Sequence, residues 1–214
     1  MAKKGEKKPF RGDTTDPDAL IHWVRRFVEH QRVRNYSDRT LITTESCLRL
    51  FVEWADERGL VRPCEITKPV LELYQRWLFY FRKESGKALT FSSQRVRLQK
   101  LKGFFKWLAR TNVILSNPAS ELEMPRVERR IPRAILNERE VEKVLAMPDV
   151  RDVLGLRDRA MMEVLYSTGI RRHELARLEL FDVDTDRETL TVRLGKGKKD
   201  RVVPIGQRAL SWIA

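Results

Sequence analysis

The chain has 214 residues, 42% of them hydrophobic, and a mean hydropathy of −0.48, which suits one or two water-facing domains with cores of their own. Its 43 Lys and Arg against 30 Asp and Glu leave a net charge of +13, which favours a polyanionic partner, nucleic acid ahead of an anionic membrane surface. No stretch approaches the roughly 18 apolar residues of a membrane span, the opening MAKKGEKKPFRG lacks the apolar segment of a secretory signal, and Cys47 and Cys64 form no C-x-x-C pair and have no histidine at zinc spacing, as for two reduced thiols in the cytosol.

Residues 1–16 read as a basic flexible tail, able to lie along phosphates or simply to aid solubility. A helix follows over about 18–34, with Leu20, Trp23, Val24, Phe27 and Val28 on one face. Ser37 is a good N-cap for a second helix, which carries Leu41, Leu48, Phe51, Val52 and Trp54 and stops at Gly59. A third follows Thr67-Lys68-Pro69, the proline fitting a first turn, and carries Leu71, Leu73, Tyr74, Trp77, Leu78 and Phe81.

The fourth helix, over 92–110, repeats Leu98, Leu101, Phe105 and Leu108 at spacings of three and four. From 85 to 110 the chain has Lys87, Arg95, Arg97, Lys100, Lys102, Lys106 and Arg110 and no Asp or Glu. Helices facing only water usually mix signs, because opposite charges four apart stabilise them. A one-sign helix is expected against an anion, so Arg95, Arg97, Lys100, Lys102 and Lys106 are candidate DNA contacts; a solvated basic face is the plain alternative. A short fifth helix is expected near Asn117-Pro118-Ala119. Prolines and arginines without periodicity over 124–135 then read as an extended linker, which splits the chain into a helical domain, 17–123, and a second unit, 136–214.

In the second unit Asn137 and Glu140 have capping-box spacing, and that helix ends near Pro148. A longer helix over 156–167 breaks at Thr168-Gly169, another is expected over 171–180, and strands over 181–184, 189–194 and 201–205 follow, the last two forming a hairpin. Residues 207–214 read as the start of a further helix. The fold class is therefore mainly α: an N-terminal helical domain plus an α+β unit with a small antiparallel sheet.

The stretch 156–206 carries the chemistry. Thr168-Gly169-Ile170-Arg171-Arg172-His173-Glu174-Leu175 is followed by a strand and then by Gly195-Lys196-Gly197-Lys198-Lys199-Asp200-Arg201. That order brings an arginine, a carboxylate and a hairpin lysine within reach of one phosphate. On these motifs the chain resembles the tyrosine recombinases of the Xer and phage-integrase type. The resemblance covers nearly everything after the basic tail: 17–123 is similar to the family's DNA-clamping core-binding domain, and 136–214 to the front half of its catalytic domain.

The resemblance implies site-specific DNA recombination or integration, by strand breakage and rejoining through a phosphotyrosine intermediate, with no metal and no nucleotide cofactor. Cations must then neutralise the pentacoordinate phosphate. Arg171 matches the first catalytic arginine, whose planar fork suits two phosphate oxygens. Glu174 matches the supporting acid, which orients Arg171 or is only an intrahelical partner. Lys196 matches the general acid for the leaving 5′-oxygen. Arg172, Lys198 and Lys199 are further candidate DNA contacts, a generic basic turn being the alternative for the lysines.

The family's His-x-x-Arg box and nucleophilic tyrosine find no match after Lys196. His22-Trp23-Val24-Arg25 has the box's spelling but lies in the first helix. Tyr36, Tyr74, Tyr80 and Tyr166 all precede the hairpin, and Tyr166 is expected in the core. The chain therefore reads as C-terminally truncated, unable to cleave by itself, with apolar faces exposed in the second unit and low stability. The alternative is a non-catalytic DNA-binding protein that occupies recombination sites or modulates a full-length recombinase. Expected partners are double-stranded DNA and full-length recombinase subunits in a tetramer on DNA; no membrane is expected, and the location is cytoplasmic.

Overall fold

A computed structural model describes residues 12–128, 135–195, 197 and 199–214. Residues 1–11 of the expected tail, 129–134 of the expected linker, and Lys196 and Lys198 lie outside the described residues. The chain divides into two compact units, Met1–Arg129 and Arg130–Ala214. The fold is mainly helical with one small antiparallel sheet.

The first unit is built from α1 (Leu20–Val33), α2 (Asp38–Asp56), α3 (Lys68–Tyr80) and α4 (Phe91–Arg110). Ser37 caps α2 by accepting from the Thr40 amide, and Thr90 caps α4 by accepting from the Ser93 amide. Along α4, Leu98, Leu101, Phe104, Phe105 and Leu108 are all buried, so the three-and-four spacing is a core stripe. They meet Phe51 of α2 and Tyr74 of α3, with Phe51 edge-on to Tyr74 at 5.0 Å and to Phe105 at 5.9 Å between ring centroids.

The short helix expected near 117–119 is only a turn. The Asn117 side chain accepts from the Ala119 amide, and Lys102 Nζ reaches the carbonyls of Ser120 and Leu122, both at 3.1 Å. Those carbonyls are satisfied by a side chain rather than by following amides, and a single turn does not recover the cost of nucleating a helix.

In the second unit, Asn137 and Glu140 form the expected capping box at the start of α5 (Glu138–Leu145). Asp152 opens α6 (Val153–Thr168) by accepting from the amides of Leu154 and Gly155. Gly169, at φ 62°, ends α6 in the left-handed conformation that glycine adopts freely. The helix expected over 171–180 shrinks to α7 (Arg172–Leu175). The amide of Glu179 donates to the Asp182 carboxylate at 3.0 Å instead of continuing a helical ladder. Leu180–Asp182 forms a 3-10 turn, which shortens the first expected strand to β1 (Val183–Asp184).

β2 (Thr189–Val192) pairs antiparallel with β1 on one side and with β3 (Arg201–Pro204) on the other, placing Val192 opposite Arg201. α8 (Gln207–Ile213) closes the unit. Its core is Val164, Ile170, Leu190, Val192, Ile205 and Ala209. Buried Glu163 of α6 accepts from Arg159 at 2.7 Å and from Arg208 at 2.8 Å, while Arg208 also bonds Glu142, so one charged network ties α5, α6 and α8.

Tyr166, expected in the core, is 53% exposed. The buried residues of α6 are Glu163 and Val164; Tyr166 lies about 160° around the helix from Val164 and about 60° from Glu163, at the edge of the buried side. Leu180 and Phe181 are also largely exposed.

Candidate active site

The site forms where α6 hands over to α7. After Gly169 turns the chain, Arg171 becomes the N-cap of α7 rather than a helical residue. Its backbone amide donates to Glu174 Oε2 and its guanidinium Nη1 to Glu174 Oε1, both at 2.9 Å. The expected arginine–carboxylate pair is therefore present. Glu174 is buried and Arg171 is not, so the carboxylate anchors one edge of a guanidinium that otherwise faces solvent.

A second arginine, missed from sequence, completes the arrangement. Arg201 at the start of β3 sets its fork on the same carboxylate, Nη1 to Oε1 at 3.0 Å and Nη2 to Oε2 at 2.7 Å. The Arg201 guanidinium first, and the Arg171 amide second, hold the Glu174 carboxyl down from 4.5 to about 2. The signal that could have found Arg201 is its register. It shares the half-buried side of β3 with Val203, and a strand arginine on that side needs a carboxylate to receive it.

The turn between β2 and β3 is fitted to this pair. The Leu194 amide donates to Asp200 Oδ1 at 2.7 Å and the Gly195 amide to the Lys199 carbonyl at 3.0 Å. A Cβ on Gly195 would stand 2.8 Å from Arg201 Nη1, 2.9 Å from the Lys199 carbonyl and 3.2 Å from Glu174 Oε1, so a side chain there would disturb both the ion pair and the turn that carries it. Lys199 is exposed and borders a concavity of about 550 Å³ together with Gly169, Arg171, Asp200 and Arg201. Lys196 and Lys198, the other expected hairpin lysines, lie outside the described residues.

On the other side of Arg171, a cleft of about 380 Å³ is lined by Arg171, Arg172, His173, Arg177 and Arg193 among others. Arg172, expected as a DNA contact, lines this cleft beside Arg171, and Arg177 and Arg193 line it as well. Buried Asp182 holds Arg193 Nε at 2.6 Å, and its own carboxyl is held low first by the Glu179 amide and then by Arg193. Such a basic concavity can take an anion with several oxygens. Among the described residues, no group of three or more His, Cys, Asp or Glu is placed to hold a metal ion.

The expected basic positions of α4, in the first unit, do not share one face. Arg95 and Lys106 are exposed, Arg95 also donating to the Pro125 carbonyl at 3.2 Å. Lys102 spends its ammonium on the carbonyls of Ser120 and Leu122. Arg97 and Lys100 are half-buried on the other flank, where both act electrostatically on the Cys47 thiol of α2. Helical spacing sets Arg95, Lys102 and Lys106 on one flank and Arg97 and Lys100 on the other, but not that Lys102 would be taken up by backbone carbonyls from beyond the helix.

Residues 134–214 match the Phage integrase family. The chain is 52% identical over 194 residues to "Tyrosine recombinase XerC 2" of Ralstonia nicotianae, covering 91% of this chain and 56% of that protein. It is 34% identical over 180 residues to "Tyrosine recombinase XerD" of Pseudomonas putida, covering 84% of this chain and 57% of that one. The chain thus spans a little over half the length of these relatives. Among solved structures, the Tn1549 transposon integrase in complex with circular intermediate DNA has a TM-score of 0.65 at 17% identity, covering 91% of this chain and 62% of that one. A lambda integrase dimer bound to a COC′ core site has a TM-score of 0.61 at 21% identity, covering 87% and 48%. The fold is therefore that of the integrases, residues 134–214 match the Phage integrase family, and most of the chain is similar in sequence to tyrosine recombinases.

Proposed function

We propose that this chain grips duplex DNA and supplies the phosphate-neutralising part of a site-specific recombination site, acting in the cytoplasm. The observation that carries the reading is the Arg171–Glu174–Arg201 arrangement, with one edge of the Arg171 guanidinium anchored and the rest opening toward a cleft that also holds Arg172, Arg177 and Arg193. When a DNA phosphate is attacked, charge builds on its non-bridging oxygens, and a preoriented guanidinium stabilises it with two parallel N–H bonds. Lys196, by its resemblance to the family's hairpin lysine, donates a proton to the departing 5′-oxygen. Glu174 keeps Arg171 in place, and Arg172 and Lys199 hold neighbouring phosphates.

In the first unit, of the five α4 cations expected to touch DNA, Arg95 and Lys106 are best placed, because Lys102 is bound to backbone and Arg97 and Lys100 are half-buried. We assign residues 17–123 as the clamp and 136–214 as the unit that handles the phosphate. None of Tyr36, Tyr74, Tyr80 and Tyr166 is assigned as nucleophile. Tyr74 is buried, and that burial pushes its hydroxyl pKa far up. Full-length recombinase subunits are the protein partners we assign.

The test is binding of the full chain to duplex DNA across a salt series. The logarithm of the affinity is expected to fall linearly with the logarithm of salt, and Arg171→Ala is expected to reduce the slope by about one. A flat salt response overturns the reading. A nicked suicide substrate separates the roles: binding without a covalent adduct fits it, whereas an adduct overturns the exclusion of the four tyrosines.

A further inference from the structure

The Glu174 carboxylate is shared between two arginines in a way that fixes both. Oε1 accepts from Arg171 Nη1 and Arg201 Nη1, and Oε2 accepts from the Arg171 amide and Arg201 Nη2, at 2.7 to 3.0 Å. Each oxygen thus takes two N–H bonds, the number its lone pairs accommodate. The terminal torsion of a glutamate is broad, so a carboxylate held from one side alone can turn. Here a planar fork grips it from a strand, which fixes its plane and leaves Arg171 one place to dock.

The two arginines come from different elements. Arg171 stands at the α6–α7 junction, and Arg201 begins β3, paired across the ladder with Val192. Arg201 is also the less exposed of the two, its side chain 37% accessible against 59% for Arg171. The absence of a side chain at Gly195 is what lets the Arg201 fork reach the carboxylate.

We propose that Arg201 is a positioning residue: acting through Glu174, it holds the Arg171 guanidinium in the orientation that receives a phosphate. This rests on the assignment of Arg171 to phosphate. An exposed arginine loses rotamer freedom when it binds, and an arginine already held in place loses less. Arg201 need not touch DNA to have this effect. It also makes the orientation of Arg171 depend on the start of β3, so the strand and the helix junction act on the phosphate as one body.

The test is a double-mutant cycle on the full chain, with Arg171→Ala, Arg201→Gln and the pair, measured as binding to a fixed-sequence duplex. Arg201→Gln is expected to weaken binding roughly threefold to tenfold, and the double variant to bind no worse than Arg171→Ala alone. Additive losses, with a further drop of about one in the salt slope, mean that Arg201 contacts phosphate itself and overturn the proposal. An unchanged affinity in Arg201→Gln also overturns it.

A second readout needs no DNA. The Nε–Hε group of Arg171 is expected to be restrained in the parent chain and mobile in Arg201→Gln by NMR relaxation; unchanged dynamics overturn the proposal. If Arg171→Ala binds DNA like the parent, the phosphate assignment fails, while the Nε–Hε measurement still decides whether Arg201 positions Arg171. Should Arg201→Gln not fold, Arg201→Lys keeps one cation without the fork; it is expected to show intermediate mobility at Arg171, and parent-like mobility overturns the proposal.

Discussion

The α1–α4 unit and the α5–α8 unit are held together by different forces. The first buries Phe51, Tyr74, Phe104 and Phe105 in one aromatic cluster between helices. The second closes over Val164, Ile170, Leu190, Val192, Ile205 and Ala209, and sets charged side chains at the seams between its elements. Glu163, Glu174 and Asp182 are all buried there, each received by at least one arginine. Burial of apolar area does not depend on the protonation of any group, whereas a buried carboxylate holds only while it is ionised and paired. The unit that carries the candidate site is thus the one whose order depends on charge. The groups that order it are of the same kind as those that would meet a phosphate.

The sharpest way to break this contrast is to remove one large side chain from the first unit. Phe105→Ala is expected to destabilise it by about 3–5 kcal/mol, because Phe105 is fully buried among Phe51 and Phe104 and a cavity would remain. Denaturant unfolding followed by tryptophan fluorescence measures this, since Trp23, Trp54, Trp77 and Trp107 lie in that unit. A loss under about 1 kcal/mol would mean that the aromatic cluster is not what holds the helices.

In the second unit the corresponding change is Glu163→Ala. Removing the acid leaves Arg159, itself only 11% exposed, without its carboxylate and frees Arg208 from α6. The expected loss is about 3 kcal/mol, the usual scale for breaking a buried pair from one side. Hydrogen exchange at the β2 and α6 amides reads it. Similar protection in parent and variant would make the charged network incidental.

The smallest effect at neutral pH, and the most specific, is the response to acid. Glu174 titrates near 4.5 when unfolded and near 2 when folded, so its contribution is complete above about 4.5 and is lost as pH falls toward 2. Asp182 is shifted in the same direction. The second unit should lose protection across that window before the first does. The lowered carboxyls of the first unit are Asp13, held by the Thr15 hydroxyl and amide in an exposed turn, and Asp16 with Arg62 and Glu121 with Lys68, whose cationic partners are open to solvent; such groups contribute little. Simultaneous acid unfolding of both units would dissolve the contrast, and Arg201→Gln should raise the Glu174 carboxyl toward its ordinary value.

Much of the fold was legible because it follows local rules. Ser37 and Asn137 cap the helices that they were expected to cap, since an N-cap acts only on amides two or three residues away. The core stripe of α4 was plain from spacing alone. Thr90 and Asp152 are caps of the same kind that the expected boundaries passed over, and each starts its helix one to three residues earlier than expected. The helix expected over 171–180 failed because Asp182, from beyond its end, takes the Glu179 amide.

The same division runs through the site. By itself the sequence determined the order of elements, the glycine that turns the chain at 169, and the pairing of Arg171 with a carboxylate three residues on, because each depends on neighbours along the chain. Only the tertiary structure decided that this carboxylate is buried, that Arg201 holds it from 27 residues away, and that Arg97 and Lys102 turn inward or onto backbone. Those outcomes depend on which surfaces meet. A buried carboxylate must find its cations among whatever residues the packing brings within about 3 Å, wherever they lie in the chain.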